Sequence, residues 1–599
     1  MTHYTAPVKD MLFTLNECIG ISDLAELSGR EELSPETLES IYEEGGKLIA
    51  NVVAPANQNA DQQGARFSDG NVTYPEQLRA AWQPYAAGGW AGLAMPEEYG
   101  GQGLGQLGYC PFHEMMCSGG LSFVQAPGLT LGAVEAIHAH GTESMKRLYI
   151  PKMASGEWTG TMNLTEPHAG SDVGALRSKA TDAGDGTYRI TGNKIYITCG
   201  ELDFAENIVH LVLARLEGAP SGSRGISLFL VPKFLPNEDG SLGEQNDVRC
   251  TGIEHKLGLR GSPACQMSYG DNDGAVGWLI GEENKGLACM FTMMNFARLH
   301  VGLHGTGAAE RAYQMALAYA KERVQGIPIG RSPGDDTTII DHADVRRMLM
   351  TIRAKIAASR AICYMNAKAM DMKNICTDSG ESHYWAGLSE LLTPLSKAYS
   401  SDIGVECCSE AVQVFGGMGF IEETGVAQLY RDVRITPIYE GTNGIQAWDL
   451  ANRKLKMDSG EHWQGLLSDI QSFSESLTGE LQDIKTVLNK AVAACRETAE
   501  HFLKSHGENP RAVAAGSVAY QRLLSETVGA WLLARGASSA QQQLLNNDDA
   551  SDADYLASRI NLAKFFSAHI LNASVSLGKV AQLGDEMIFS DSDDMLASR

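Results

Sequence analysis

A chain of 599 residues is too long for one hydrophobic core, so two to four domains are expected. The composition is that of a soluble globular protein, 44% apolar and 7% aromatic, with a formal net charge of -25. Without any long run of lysine or arginine, that acidity makes nucleic acid and anionic membrane surfaces poor candidate partners, and no nucleic acid is expected. No apolar stretch approaches the ~20 residues that span a bilayer, so no membrane insertion is expected. The opening MTHYTAPVKDMLFTLNE lacks the basic region, apolar core and small-residue cleavage site of a secretory signal. The twelve cysteines are scattered without a CxxC pair, which reads as reduced thiols and a cytoplasmic protein.

Residues 20 to 155 read mostly as helix. In 36-ETLESIYEEGGKLIANVV-53, Leu38, Ile41, Leu48 and Val52 fall near one face, and Pro96 with Gly100, Gly101 and Gly103 breaks the pattern at 95–105. Near residue 160 the character changes. Segments 187–200, 208–216 and 225–234 are rich in β-branched and aromatic residues with short glycine-containing turns, predicting a strand-dominated, antiparallel domain that ends around 280–286. From about 288 the helical period returns in two long proline-free stretches, 305–324 and 343–370, joined by the polar loop 326–338. A further tract begins near 460. There Leu466, Ile470, Phe473, Leu477, Leu481, Ile484 and Leu488 form one apolar stripe at helical spacing.

Single motifs remain ambiguous. The stretch 162-MNLTEPHAGSDVG-174 reads as a polar turn, or as a loop whose amides and hydroxyls (Thr165, Ser171) hold a polar ring or phosphate. The strand 194-KIYITCG-200 can simply alternate across a sheet. Arg298, alone in an apolar helical stretch, reads as a paired or snorkelling residue. Arg323 suits a helix C-terminus. The glycines of 413-QVFGGMGFIEE-423 do not form GxGxxG after a strand. His138, His140 and His255 lack metal-ligand spacing, and no metal is expected. Glu440, in 431-RDVRITPIYEGTNGIQ-446, is a base or a turn carboxylate.

The ordered set is more specific than its parts. PEEYGG (96–101), the run 141–158 into LTEPHAGSD (164–172), GNKIYIT (192–198), Arg298, AKER (320–323), QVFGGMGF (413–420) and YRDVRITPIYEGTNGIQ (430–446) together resemble the flavin-dependent acyl-CoA dehydrogenases. The resemblance covers about residues 30 to 455. The N-terminal YTAPVKDM and the 456–599 extension look like the long bacterial members, which act on fatty acyl-CoAs or on 3-methylthiopropionyl-CoA. It implies an α+β, mainly α fold: an N-terminal helical domain (1–160), a middle β-barrel-like domain (161–283), a C-terminal four-helix bundle with the base (284–455) and an additional helical domain (456–599).

The implied reaction is α,β-desaturation of an acyl-CoA, with FAD as cofactor. Glu440 would take the α-proton, its backbone N–H and a ribityl hydroxyl would bind the thioester oxygen, and flavin N5 would receive the hydride. Some members carry the base just before the arginine matching Arg298; that position is Ala297 here, so the resemblance leaves Glu440 as the base. A carboxylate beside Ile438 and Tyr439 should have a raised pKa, and Gly441 lets the chain approach the acyl group. The cofactor contacts implied are Met162, Leu164, Thr165, Gly170, Ser171, Tyr196, Ile197 and Thr198 around the isoalloxazine. Arg323, Gln413, Gly416 and Gly417 would serve the pyrophosphate and adenosine end across a subunit interface, and Thr442 would also touch FAD. Ser171 and Arg298 would lie along CoA. Tyr196 stands where the family usually has tryptophan, and VQG follows Arg323 where a longer stretch is common.

Expected partners are an acyl-CoA, an electron-transfer flavoprotein and a second copy in a homodimer, since in long members the extension takes the place of a second dimer. Three functions fit: a dehydrogenase for 3-(methylthio)propanoyl-CoA or for short- to long-chain fatty acyl-CoAs, an acyl-CoA oxidase, or a non-catalytic flavin-binding relative.

Overall fold

The computed structural model of the chain describes residues 3–546 and 552–589, apart from the Glu31 side chain. The outer ends of the expected segments 1–160 and 456–599 lie outside the described residues. Two compact units are present, one of residues 3–6 and 42–300, the other of residues 7–41 and the described part of 301–599. The helix Gly286–Glu322 gives its first part, to His300, to the former and its remainder to the latter.

The helix Pro35–Leu48 runs into a π-helical turn, Ile49–Val53. Its buried face is Leu38, Tyr42, Gly45, Ile49 and Val53, whereas Ile41, Leu48 and Val52 are only half-buried. The expected stripe is therefore corrected by about one residue. The reason is aromatic packing: the Tyr42 hydroxyl donates to the Gly108 carbonyl at 2.8 Å, and a Cβ on Gly45 would meet Phe112 at 2.7 Å.

A hairpin missing from the sequence reading follows, β1 (Arg66–Ser68) and β2 (Asn71–Thr73). Asp69 and Gly70 turn it with φ of 50° and 84°, the two left-handed residues a tight hairpin requires. Helices Gly105–Gly119 and Leu121–His140 then form a deeply buried layer, and Glu143–Ala154 follows with one face buried, Met145, Tyr149, Ile150 and Met153. Gly160 sits against the layer, since a Cβ there would lie 2.5 Å from Ala133.

The β strands are β3 (Trp158–Asn163), β4 (Lys179–Asp182), β5 (Tyr188–Thr198), β6 (Asn207–Leu216), β7 (Ser227–Pro232), β8 (Phe234–Pro236), β9 (Leu242–Gln245), β10 (Val248–Ile253), β11 (Ala264–Tyr269) and β12 (Ala275–Ile280). The main sheet has the order β10-β11-β5-β12-β7-β6-β3, with β4 pairing both β5 and β6; β8 and β9 form a separate pair. It is mixed, not antiparallel throughout: β3 and β4 each run parallel to β6. A parallel pair needs a long connection between its strands. The β3-to-β6 link carries both β4 and β5, a pairing that no local window reveals.

In the helical unit, Ala343–Ile375 and Ser379–Phe415 pack along one another. The second half of Gly286–Glu322 joins them through glycines: a Cβ on Gly305 would lie 2.1 Å from the Ser400 carbonyl, and one on Gly404 would lie 2.7 Å from Gly305. The predicted stripe 466–488 does not lie on one helix. Helix Glu461–Ser476 stops at an extended Leu477, a short turn Gly479–Leu481 intervenes, and Gln482–Ser505 begins anew. Leu477 and Leu481 are nevertheless buried, so the spacing survives while the axis breaks at Thr478-Gly479.

Helix Pro510–Asn546 carries the extension onto the bundle. A Cβ on Gly529 would meet Ala358 at 3.0 Å, and Arg522 clamps both oxygens of Glu406 at 2.9 and 3.2 Å while also pairing with Glu526. Burial disfavours the Arg522 charge, but Glu526 and Glu406 outweigh it and hold the guanidinium protonated. All twelve cysteines are free, and no helix among the described residues is long and apolar enough to cross a membrane.

Candidate active site

The expected site residues of the β unit gather at the ends of β3 and β5. Met162 lies buried on β3. After Asn163 the chain turns through Glu166–Ala169, whose backbones exchange hydrogen bonds at 3.0 and 2.9 Å. The Thr165 carbonyl accepts from the Ile195 N–H at 2.9 Å, which brings the LTEP loop beside Tyr196, and Thr161 ties β3 to the Thr198 carbonyl at 2.7 Å.

This loop is held from below by a buried ion pair. The Lys194 ammonium, fully buried, donates to Glu166 at 2.9 Å and to the Leu164 and Leu213 carbonyls at 3.1 and 2.8 Å. Glu166 also accepts from Arg177 N–H, Ser178 N–H and the Ser178 hydroxyl at 2.7 to 3.0 Å. Burial alone would raise the Glu166 pKa, but Lys194 and these donors bring it down to about 2. Burial lowers the pKa of Lys194 to about 8, so the pair fixes position more than it adds stability. Neither residue was singled out from the sequence; a lysine at an inward position of an alternating strand is the signal that could have found them.

Tyr196 is the unusual residue of this half. On β11, Cys265 pairs with Ile197 and Met267 with Lys194, so Gln266 faces both Ile195 and Tyr196. This β-bulge puts Tyr196 in the left-handed region, φ 61°, and leaves it 60% exposed. Such a φ costs a non-glycine residue roughly 1–2 kcal/mol and is typical of functional positions. Ile197 is buried and Thr198 half-buried, while Gly170 and Ser171 are exposed. Gly170 has an ordinary φ and a Cβ would meet nothing within 4 Å, so nothing within the chain demands glycine there. Arg298, buried, donates to Asn295 at 3.1 Å and lies 5.8 Å from the Phe291 ring centre.

The helical unit carries the rest. The ring of Tyr319 stacks on Phe415 at 4.3 Å, which brings the ends of Gly286–Glu322 and Ser379–Phe415 together. Arg323, just past the first helix, and Gln413, Gly416 and Gly417, at the end of the second, are all exposed. Gly416 needs its glycine for φ 60°; Gly417 has an ordinary φ and open space where a Cβ would be, as at Gly170.

Glu440 and Gly441 are consecutive left-handed residues, φ 56° and 83°. The turn is closed by the Asn443 N–H donating to the Pro437 carbonyl at 3.0 Å. Thr442 caps the following helix, Asn443–Asn452, accepting from the Ile445 N–H at 3.2 Å. The helix start thus lies beside Glu440, and its backbone N–H groups favour negative charge there. The Asn443 side chain anchors the turn to helix Ser379–Phe415: it accepts from Lys397 at 2.8 Å and donates to Asp402 at 2.7 Å and the Ala398 carbonyl at 3.2 Å. Burial raises the Asp402 pKa despite that bond. On the other side, His304 bonds the Tyr439 hydroxyl at 2.5 Å, and burial, lowering its pKa to about 3, keeps the imidazole neutral. Glu440, Gly441 and Thr442 are all half-buried. His304, Lys397 and Asn443 escaped the sequence reading, since polar residues in apolar helices do not announce their partners.

The comparisons with known proteins agree with this architecture. Family profiles described as the N-terminal, middle and C-terminal domains of acyl-CoA dehydrogenase match residues 35–157, 161–271 and 284–455. A fourth, "Acetyl-CoA dehydrogenase C-terminal like", matches 466–590. The chain is 40% identical to the 3-methylmercaptopropionyl-CoA dehydrogenase of Ruegeria pomeroyi over 98% of its own length and 99% of that protein's. It is 34% identical to a butyryl-CoA dehydrogenase of Syntrophomonas wolfei, with 97% of each covered. The Bacillus anthracis acyl-CoA dehydrogenase, solved with FAD, shares the fold at a TM-score of 0.74 and 22% identity over 93% of this chain and 89% of that one. The chain belongs to the acyl-CoA dehydrogenase family of oxidoreductases and has the long form of its fold, with helices beyond the bundle.

Proposed function

We propose that the protein desaturates a short acyl-CoA thioester at its α,β bond, with Glu440 as the base and 3-(methylthio)propanoyl-CoA as the leading substrate. The observation that carries the reading is the Glu440 turn, a half-buried carboxylate in a left-handed conformation, clamped by His304 and Asn443 and set before a helix N-terminus. A positioned carboxylate is what α-proton removal needs. The Glu440 backbone N–H is a candidate donor to the thioester oxygen, and one such oriented donor is worth roughly 3–4 kcal/mol. Gly441, without a Cβ, leaves room for the acyl group.

FAD, when bound, supplies the hydride acceptor that no side chain provides and passes the electrons to an electron-transfer flavoprotein. The residues present fit it. The open glycines Gly170 and Gly417 leave space for close approach, and Tyr196 presents an exposed aromatic face. Met162, Leu164, Thr165, Ser171, Ile197 and Thr198 are assigned to its ring, and Arg323, Gln413, Gly416 and Thr442 to the remainder. Ser171 and Arg298 are assigned to CoA. We retain the division 1–160, 161–283, 284–455 and 456–599 as the functional segments, a cytoplasmic location, and a homodimer. The 87% exposed Phe420, in the same short turn as Gly416 and Gly417, supports an interface there.

Full-length 40% identity to the Ruegeria enzyme supports the thioether substrate. The 34% identity to the Syntrophomonas enzyme favours a second reading, butyryl-CoA and its straight-chain homologues. Dye-coupled assays across 3-(methylthio)propanoyl-, butyryl-, octanoyl- and palmitoyl-CoA separate them. The reading expects kcat/KM to peak at the thioether and fall with chain length; equal values across the series contradict it. Peroxide released in air at the rate of turnover would make the protein an oxidase instead.

A further inference from the structure

We propose that His383, Asp458 and His462 form a divalent transition-metal site, best suited to Zn²⁺, that staples the catalytic bundle to the first helix of the C-terminal extension. His383 lies in the first turns of Ser379–Phe415, His462 in the first turn of Glu461–Ser476, and Asp458 just before the latter. One ligand atom from each lies within 4.8 Å of the other two. Both Nε2 atoms face one carboxylate oxygen, Asp458 Oδ2, His462 at 2.7 Å and His383 at 3.5 Å.

Three features separate this cluster from a plain hydrogen-bonded pair. A single Asp458–His462 bond accounts for 2.7 Å but not for a second imidazole aimed at the same oxygen. The 3.5 Å separation is long for a hydrogen bond. It is close to the ligand–ligand edge of a tetrahedral zinc site, which at metal–ligand distances of ~2.0–2.1 Å is about 3.3 Å. Second, the backbone presents Asp458 at a cost. Asp458, Ser459 and Gly460 are left-handed in succession, φ 45°, 56° and 88°, and the first two lack glycine's tolerance. Third, His462 is preset. Its ring packs against Gly387, where a Cβ would lie 1.9 Å from Nδ1, so only a glycine admits the ring in this orientation, with Nε2 turned to Asp458. Its side chain is 6% exposed, while His383 and Asp458 are about half exposed and can close on an ion by small movements.

Two imidazoles and one carboxylate are the donors of zinc or cobalt and not of calcium or magnesium, which take oxygen-rich shells. With three protein ligands, water would complete the tetrahedron. The ion would bind the folded chain selectively and so raise its melting temperature once free zinc exceeds the dissociation constant, the rise growing with the logarithm of its concentration.

The test uses the full-length, FAD-loaded protein, freed of metal by chelator and titrated with Zn²⁺ by calorimetry, with Co²⁺ absorption as the reporter of tetrahedral geometry. Zinc should bind one to one and raise Tm. Affinity should fall at least roughly 10-fold in His383→Ala and in Asp458→Asn, and the Tm rise should shrink with it. His383 is exposed, so its removal leaves the fold intact and keeps the comparison sound. Absence of saturable zinc binding overturns the proposal. So does binding of equal strength in both variants, which would put the ion elsewhere, for example on a thiol.

Discussion

The loop on the β unit and the turn on the helical unit solve the same problem by different means. The loop 164–171 is anchored around one buried ion pair, Lys194 with Glu166, and its end, Gly170 and Ser171, is exposed. The Glu440 turn is held by several polar contacts: a helix cap at Thr442, the Asn443 network with Lys397 and Asp402, and the His304–Tyr439 bond. Left-handed non-glycine residues occur in both units, among them Tyr196 beside the loop and Glu440 in the turn, with φ near 60°. A single buried charge pair concentrates the hold on the loop at one point. A distributed clamp spreads the positioning of the Glu440 turn over several bonds, so that no single one carries it.

That contrast predicts unequal responses. Glu166→Gln strands the Lys194 charge in the interior and should cost about 3–5 kcal/mol, read as a lower urea midpoint. Asn443→Ala removes one node of a shared network and should cost about 1–3 kcal/mol by the same measurement. If Asn443→Ala proves the more damaging, the ranking of the two anchors is reversed. The ion pair also carries a pH signature. The fold favours the ionised Glu166, so its contribution is complete above the ordinary carboxylate range near 4.5 and is lost as pH falls toward about 2. Acid unfolding followed by fluorescence should shift upward in pH in a Ser178→Ala variant, which removes one of the donors to Glu166. The smallest effect is expected at Tyr196. Tyr196→Asn, which tolerates the left-handed region, should leave stability unchanged or raise it by up to ~1 kcal/mol while weakening FAD retention on gel filtration. Loss of stability there would mean the tyrosine ring serves the fold, not a ligand.

Much of this was legible in the sequence because it rests on periodicity and on motif order. The switch from helix to strand near 160 and back near 288 follows hydrophobic spacing that any core imposes. What sequence left hidden is long-range or locally atypical. The parallel pairing of β3 and β4 with β6 depends on a register set tens of residues away. The face of Pro35–Leu48 was misjudged because Tyr42 and Gly45 pack as core without scoring as aliphatic. The 466–488 stripe concealed a break at Thr478-Gly479, since buried Leu477 and Leu481 continue the spacing across it. In the site, Glu440, Gly441 and Thr442 are legible as a motif. The residues that hold them, His304 and Asn443, are not, because their partners lie 135 and about 45 positions away.

The central claim is that Glu440 is the base. Its most direct test is anaerobic stopped-flow mixing of the Glu440→Gln variant with substrate acyl-CoA, following flavin absorbance. The account predicts a variant that folds, retains FAD and binds acyl-CoA, yet reduces its flavin roughly 10²–10⁴-fold more slowly than the parent. Near-parental reduction by a FAD-loaded Glu440→Gln protein would contradict it.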